Sequence, residues 1–231
     1  MIVDLDPELL AHRREHDDGS VTITHPLVYS ESHRPEFNEF YNAMLRNKRI
    51  QAACAFVDKD WKRFIELHAE GHRLDALAEI EDHLTDKQYW RLLGELYCAA
   101  QSLWRDMATW RELLSSRRRH SDHMMTEGES RRFVEIFPGK AFIYRGYSSR
   151  GTQDGLSWTT NSVIAGWYAT RCGPCEDSFV AHGWVYRTDV IAYLERRFEY
   201  EVVVLPERVH DIRTLHALPR RCPEPGNHVT T

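Results

Sequence analysis

Arg196 to Pro206, RRFEYEVVVLP, sets two glutamates, Glu199 and Glu201, one residue apart at the mouth of a run of valines. Val202, Val203 and Val204 are β-branched and read as a buried strand. Side chains alternate faces along a strand, so Glu199 and Glu201 are expected to share one side of the sheet. Like charges held close raise one another's pKa and cost stability, which makes the pair expensive in a purely structural role. The plain alternative is two solvated glutamates at a strand end.

Working outward, the second half of the chain has the texture of short strands. AFIYRGY (141–147), SFVAHGWVYRT (178–188) and EVVVLP (201–206) are rich in β-branched and aromatic residues, and one helix-like piece, NSVIAGWYATR (161–171), lies among them. The first half is helical in pattern: FNEFYNAMLRNKRIQAACAFV (37–57), DWKRFIELHAEGHRLDALAEIEDHL (60–84) and TDKQYWRLLGELYCAAQSLW (85–104) carry apolar residues at i, i+3 and i+4. Asp58 and Thr85 are the expected N-caps, and Gly71 interrupts the second helical stretch. The fold class is α+β: a mainly helical region over 1–137, a compact strand-rich domain over 138–218, and a flexible polar tail over 219–231.

At 231 residues, 42% hydrophobic and 28% charged, with a formal net charge of -5, the chain can bury a sizeable core and shows no global basic bias toward nucleic acid. No apolar run has the length of a membrane span, and MIVDLDPELLAHRREHDD is acidic and polar at its start, so a cytoplasmic protein with no membrane partner is expected. Five cysteines at irregular spacing do not suggest a disulfide framework. Cys172-Gly-Pro-Cys175 matches a redox tetrapeptide, but it follows a helical pattern where a dithiol oxidoreductase has a strand, and it reads as a turn. The thirteen histidines form no ligand pattern, so no metal is expected. Arg117-Arg118-Arg119-His120, with Arg131-Arg132, is a local basic cluster that reads as a solvated face or as a phosphate contact if the partner is nucleic acid.

Three short motifs follow one another in the strand-rich half: Tyr144-Arg145-Gly146 in the first strand, Ser157-Trp158-Thr159 ahead of the helix, and Glu199-Tyr200-Glu201 ahead of the valines. Arg145 is a fixed planar cation, and Gly146 would let a ligand approach the backbone. In this order, over roughly residues 141–215, they resemble the arginine-serine-glutamate class of mono-ADP-ribosyltransferases, the group of the cholera-toxin-like and clostridial enzymes. The helical first half is similar to that of bacterial and phage-borne intracellular proteins ending in such a domain.

The resemblance implies a split β-sandwich of two small sheets crossing steeply, with NAD as substrate in the cleft between them. It makes Arg145 the holder of an NAD phosphate, with Gly146 beside it. Ser157 organises the nicotinamide ribose pocket, and Thr159 supports it. Trp158 stands where the family more often has threonine. Glu201 matches the catalytic carboxylate and Glu199 the acceptor-orienting one. Tyr168, with Trp167, is the aromatic candidate for stacking on nicotinamide. Glu-x-Glu goes with arginine acceptors in this family, which favours protein arginine, with an RNA or DNA base as the close alternative. The implied role is a toxin or antiviral-defence effector acting inside the cell on a macromolecular acceptor, restrained by an antitoxin-like inhibitor. A catalytically silent NAD-binding module and a CGPC oxidoreductase are the competing classes.

Overall fold

The computed structural model describes residues 3–100, 103, 105–148, 151–171, 178–196 and 198–216. Cys172 to Cys175, Cys222 and the 219–231 tail lie outside them. The chain divides between Leu84 and Thr85 into two compact units, well ahead of the change in sequence texture near residue 137.

In the first unit, a short helix α1 (Pro7–Ala11) precedes an antiparallel sheet of β1 (Arg13–Glu15), β2 (Val21–Thr24) and β3 (Tyr29–Ser30), in that order. The sequence reading had no strands here. Gly19, at φ 79°, makes the β1–β2 turn, and His16 N–H donates to Ser20 O at 2.9 Å across it. Helices α2 (Asn38–Val57), α3 (Trp61–Leu67) and α4 (Arg73–Ile80) follow, with the break near Gly71 as expected. Asp58 closes α2 instead of opening α3; the N-cap of α3 is Asp60, whose Oδ1 accepts the Arg63 N–H at 3.1 Å. Leu9, Ile23, Leu27, Val28 and Leu45 form the core that joins α1, the small sheet and α2.

His25 is buried in this unit as a neutral ring. Its Nδ1 accepts the Leu27 N–H at 3.1 Å, which leaves Nε2 to carry the proton and donate to Glu8 Oε1 at 2.7 Å. Burial first, then the neighbouring His12 and His72, push its pKa down to about 4. The folded value is below the unfolded one, so stability is intact above the unfolded pKa of about 6.5 and is lost as pH falls toward the folded value. Acidification across that window is expected to remove up to about 3 kcal/mol through this ring. Urea midpoints at pH 7 and pH 4 check it: the fall should be smaller in His25→Gln than in wild type, and equal falls would contradict the assignment.

The described residues of the second unit open with helices and continue into a larger sheet. The helices are α5 (Asp86–Ala99), α6 (Met107–Leu114) and α7 (Glu127–Ile136). Thr85 caps α5 as expected, in a reciprocal capping box with Gln88, and Thr126 with Glu129 does the same for α7. The strands are β4 (Lys140–Ser148), β5 (Ser157–Thr159), β6 (Ser178–Tyr186), β7 (Val190–Leu194), β8 (Glu201–Val204) and β9 (His210–His216), with helix α8 (Ser162–Thr170) after β5. They form one antiparallel sheet in the order β7-β8-β5-β4-β6-β9. The fold is therefore α+β with antiparallel sheets.

Two separate crossing sheets were expected, and the hydrogen bonding shows a single sheet with a narrow seam. β4 pairs with β6 along its whole length, from Lys140↔Tyr186 to Ser148↔Ser178, but meets β5 only at Tyr144↔Thr159. β5 is short because Asn161 caps α8 immediately after it, its Oδ1 accepting the Val163 N–H at 2.9 Å. One face of the sheet is apolar: Ile143, Trp158, Ala181, Val185, Tyr193, Val202 and Val204 pack with Phe137 into the core. Strand alternation then sends Ser157, Thr159 and Glu201 to the other side.

Candidate active site

Glu201, the first residue of β8, lies directly opposite Thr159 on β5, and Ser157 lies opposite Val203 two positions on. Trp158, between the two hydroxyl residues, is in the core, where its indole N–H donates to Gly155 O at 3.0 Å. The tryptophan thus leaves the flanking hydroxyls on their own face. Glu201 is only 4% exposed, so its carboxyl requires partners within the protein. One is the Tyr97 hydroxyl, which donates to Oε1 at 3.2 Å from α5. Tyr97 is fully buried, and its phenol is pushed well above its ordinary pKa by burial and by Glu201, with Arg145 and the Ser157 hydroxyl opposing.

Arg145 sits on β4, one residue past the bridging pair, where β4 and β5 part. Its Nη1 donates to Ser157 O at 2.6 Å and its Nε to Thr152 O at 3.1 Å, so the side chain ties the seam together where the ladder stops. The guanidinium lies against Gly155, in space that a side chain there would fill. Burial lowers its pKa, opposed by Tyr97 and Glu201, so cation, phenol and carboxylate feel one another. Arg145, Ser157, Glu201 and Tyr97 are thereby gathered at the seam.

Glu199 is placed differently from the expectation. The strand begins at Glu201, and Tyr200 has φ 49°, so Glu199 does not share a strand face with Glu201 by alternation. Phe198 on its other side has φ 57°. Two bulky residues in the left-handed region cost about 1–3 kcal/mol each and persist only where surroundings hold them. The holding is visible. Thr159 Oγ1 donates to Glu199 O at 2.7 Å, and Thr160 N–H donates to Tyr200 O at 3.1 Å. The start of the turn is fixed by buried Glu129, whose Oε1 accepts the Glu195 N–H at 2.8 Å and whose Oε2 meets Arg196 Nε at 3.4 Å. Arg196 Nη2 also donates to Met124 O at 2.8 Å. Thr159 therefore braces the turn that carries Glu199. Burial raises the Glu129 pKa, but the donors from Thr126, Glu195 and Arg196 outweigh it and keep the carboxyl below its ordinary value.

Gly146 has a packing role on β4. A Cβ there would overlap Ala165 O and come within 2.6 Å of Ala169 N, so the glycine is what lets α8 lie on β4, and no ligand approach is needed to explain it. Gly146→Ala is expected to cost about 1–3 kcal/mol as α8 is forced outward, measured as a lower urea midpoint at unchanged m-value. A shift within about 0.5 kcal/mol would contradict this packing. Tyr168, on α8, is half-buried; Arg171 lies over its ring at 4.3 Å and Trp167 meets it edge-on at 4.9 Å.

The basic cluster is partly committed to the fold. Arg118 lies over the Tyr89 ring at 4.8 Å and reaches Asp86 at 3.5 Å, while Arg132 pairs with Glu135 at 3.2 Å. Among the described residues no group of three or more His, Cys, Asp or Glu side chains is placed to hold a metal ion, and no helix is long and apolar enough to cross a membrane.

No protein-family model matches the chain, and no curated protein or solved structure is significantly similar to it. The site brings together a buried carboxylate with a phenol donor, two hydroxyl residues across from it, a guanidinium at the seam, and a second carboxylate on a strained turn. Tyr97 was missing from the sequence reading. Its apolar neighbours on α5 mark it only as a core residue, and it lies 104 positions from Glu201.

Proposed function

We propose that the chain is an NAD-dependent mono-ADP-ribosyltransferase of the arginine-serine-glutamate type. The observation that supports this reading most is the gathering of Arg145, Ser157 and Glu201, from three strands, around one seam in the sheet. The three motifs are separated in sequence, and nothing in strand pairing alone requires a buried carboxylate where they meet.

Each residue type fits the chemistry. Breaking the bond between nicotinamide and C1′ of its ribose sends the bonding electrons to nicotinamide, which leaves neutral, and puts positive charge on the ribose, as in glycoside hydrolysis. A preorganised carboxylate facing that charge is worth about 3 kcal/mol, and Glu201 fills that role. The acceptor then forms its bond to C1′ and loses a proton, for which Glu199 is the base or the orienting group, a contribution of about 10²-fold. Arg145 is the phosphate partner, its guanidinium suited to a planar oxyanion. Ser157 serves the ribose pocket and Thr159 steadies the Glu199 turn.

Protein arginine is the favoured acceptor because Glu199 is a carboxylate, able to hold a cationic side chain; a nucleic-acid base is the second acceptor class. The protein acts within the cell that makes it, as a toxin or defence effector with an inhibitory partner. The test is incubation of the full chain with labelled NAD and total cell extract. Label in a protease-sensitive fraction supports a protein acceptor, label in a nuclease-sensitive fraction supports a nucleic-acid acceptor, and no macromolecular label with intact NAD sinks the reading.

A further inference from the structure

We infer that Tyr97 is a positioning residue for Glu201, which makes helix α5 part of the reaction centre; the inference rests on the transferase reading above. Several observations lead to it. The Tyr97 hydroxyl donates to the carboxylate oxygen of Glu201 at 3.2 Å, and the ring is fully buried. Trp110 on α6 meets that ring edge-on at 5.4 Å, so the phenol has little freedom to swing.

Tyr89, on the same helix, donates instead to a backbone carbonyl, Leu113 O at 2.7 Å. Tyr97 spends its donor on an ionisable side chain at the mouth of β8. Burial and the adjoining carboxylate hold the phenol protonated well beyond the physiological range, so the donor is always present.

Helix α5 is itself fixed with respect to the strained turn. A Cβ at Gly94 would come within 2.6 Å of Met124 O, and that same carbonyl accepts from Arg196, which heads the turn carrying Glu199. Met124 thus links the helix that orients Glu201 to the turn that presents Glu199. A hydrogen bond from a neutral donor favours the ionised carboxylate and confines it to one rotamer, which is what a group facing a developing cation needs.

The test is Tyr97→Phe in the full chain, with nicotinamide release from NAD as the readout. Turnover should fall about tenfold or more while KM for NAD stays within about threefold, because the lost bond acts on the transition-state partner and not on substrate binding. The acid limb of the turnover profile should move up by about one pH unit, since removing a donor raises the carboxyl pKa. Unchanged turnover with an unmoved acid limb would overturn the inference. A second readout needs no activity: the carboxyl ¹³C resonance of Glu201, assigned by its loss in Glu201→Gln, should titrate at higher pH in Tyr97→Phe than in wild type without NAD. If wild type leaves NAD intact, the transferase reading fails and this titration alone decides the positioning claim; an unmoved midpoint would refute it. It is recorded below the unfolding transition of the variant, so a lowered melting temperature does not blur the answer.

Discussion

Replacing Glu201 by glutamine is expected to leave the fold and NAD affinity in place and to slow nicotinamide release by about 10²-fold or more. Glutamine has the same size, and its carbonyl can still accept the Tyr97 hydroxyl, so the packing around β8 survives. What disappears is the negative charge. In a site only 4% exposed at this residue, that charge is screened little by water, and its effect on a cationic transition state is correspondingly large. Calorimetry with NAD separates the terms, because binding measured there precedes bond breaking. Release within about threefold of wild type would remove Glu201 from the mechanism.

Glu199→Ala should divide the activity. Transfer to the macromolecule is expected to fall by about 10²-fold or more, while slow hydrolysis of NAD continues, because ribose activation depends on Glu201 and water needs no dedicated binding group. One bond that holds the turn survives the substitution: Thr159 donates to the Glu199 carbonyl, which alanine keeps. Glu199→Gln then distinguishes acceptors. Arginine enters as a cation that must be held or deprotonated, so glutamine should rescue little. A nucleobase nitrogen is neutral, and an amide could orient it by hydrogen bonding, so substantial transfer should remain. Equal losses of transfer and hydrolysis in Glu199→Ala would refute the division of labour and make the two glutamates one electrostatic unit.

The parts of this chain that were legible from sequence are those in which chemistry and periodicity agree locally. Val202 to Val204 declared a buried strand, and Thr85 announced the start of α5. The turn before β8 was misread because Phe198 and Tyr200 give no sign of left-handed backbone. Glycine or asparagine would have signalled it, and here tertiary bonds from Thr159 and Glu129 impose it instead. The small first sheet escaped notice although Asp18-Gly19 is a hairpin signal, because its strands are short and carry charged residues such as Arg13 and Glu15. The packing role of Gly146 was not legible: sequence shows that a side chain is absent, not which neighbouring element comes close there. Tyr97 and Glu129 reach their partners across 104 and 66 positions, distances at which no local pattern exists.

The most direct test of the central claim is release of nicotinamide from NAD by the purified full chain, followed by proton NMR beside Glu201→Gln under the same conditions. The account predicts that wild type consumes NAD and releases nicotinamide one for one, with ADP-ribose appearing free or on an added acceptor, while Glu201→Gln binds NAD and releases nicotinamide at least about 10²-fold more slowly. NAD left intact by wild type in the presence of cell extract, or cleaved equally fast by both proteins, would contradict it.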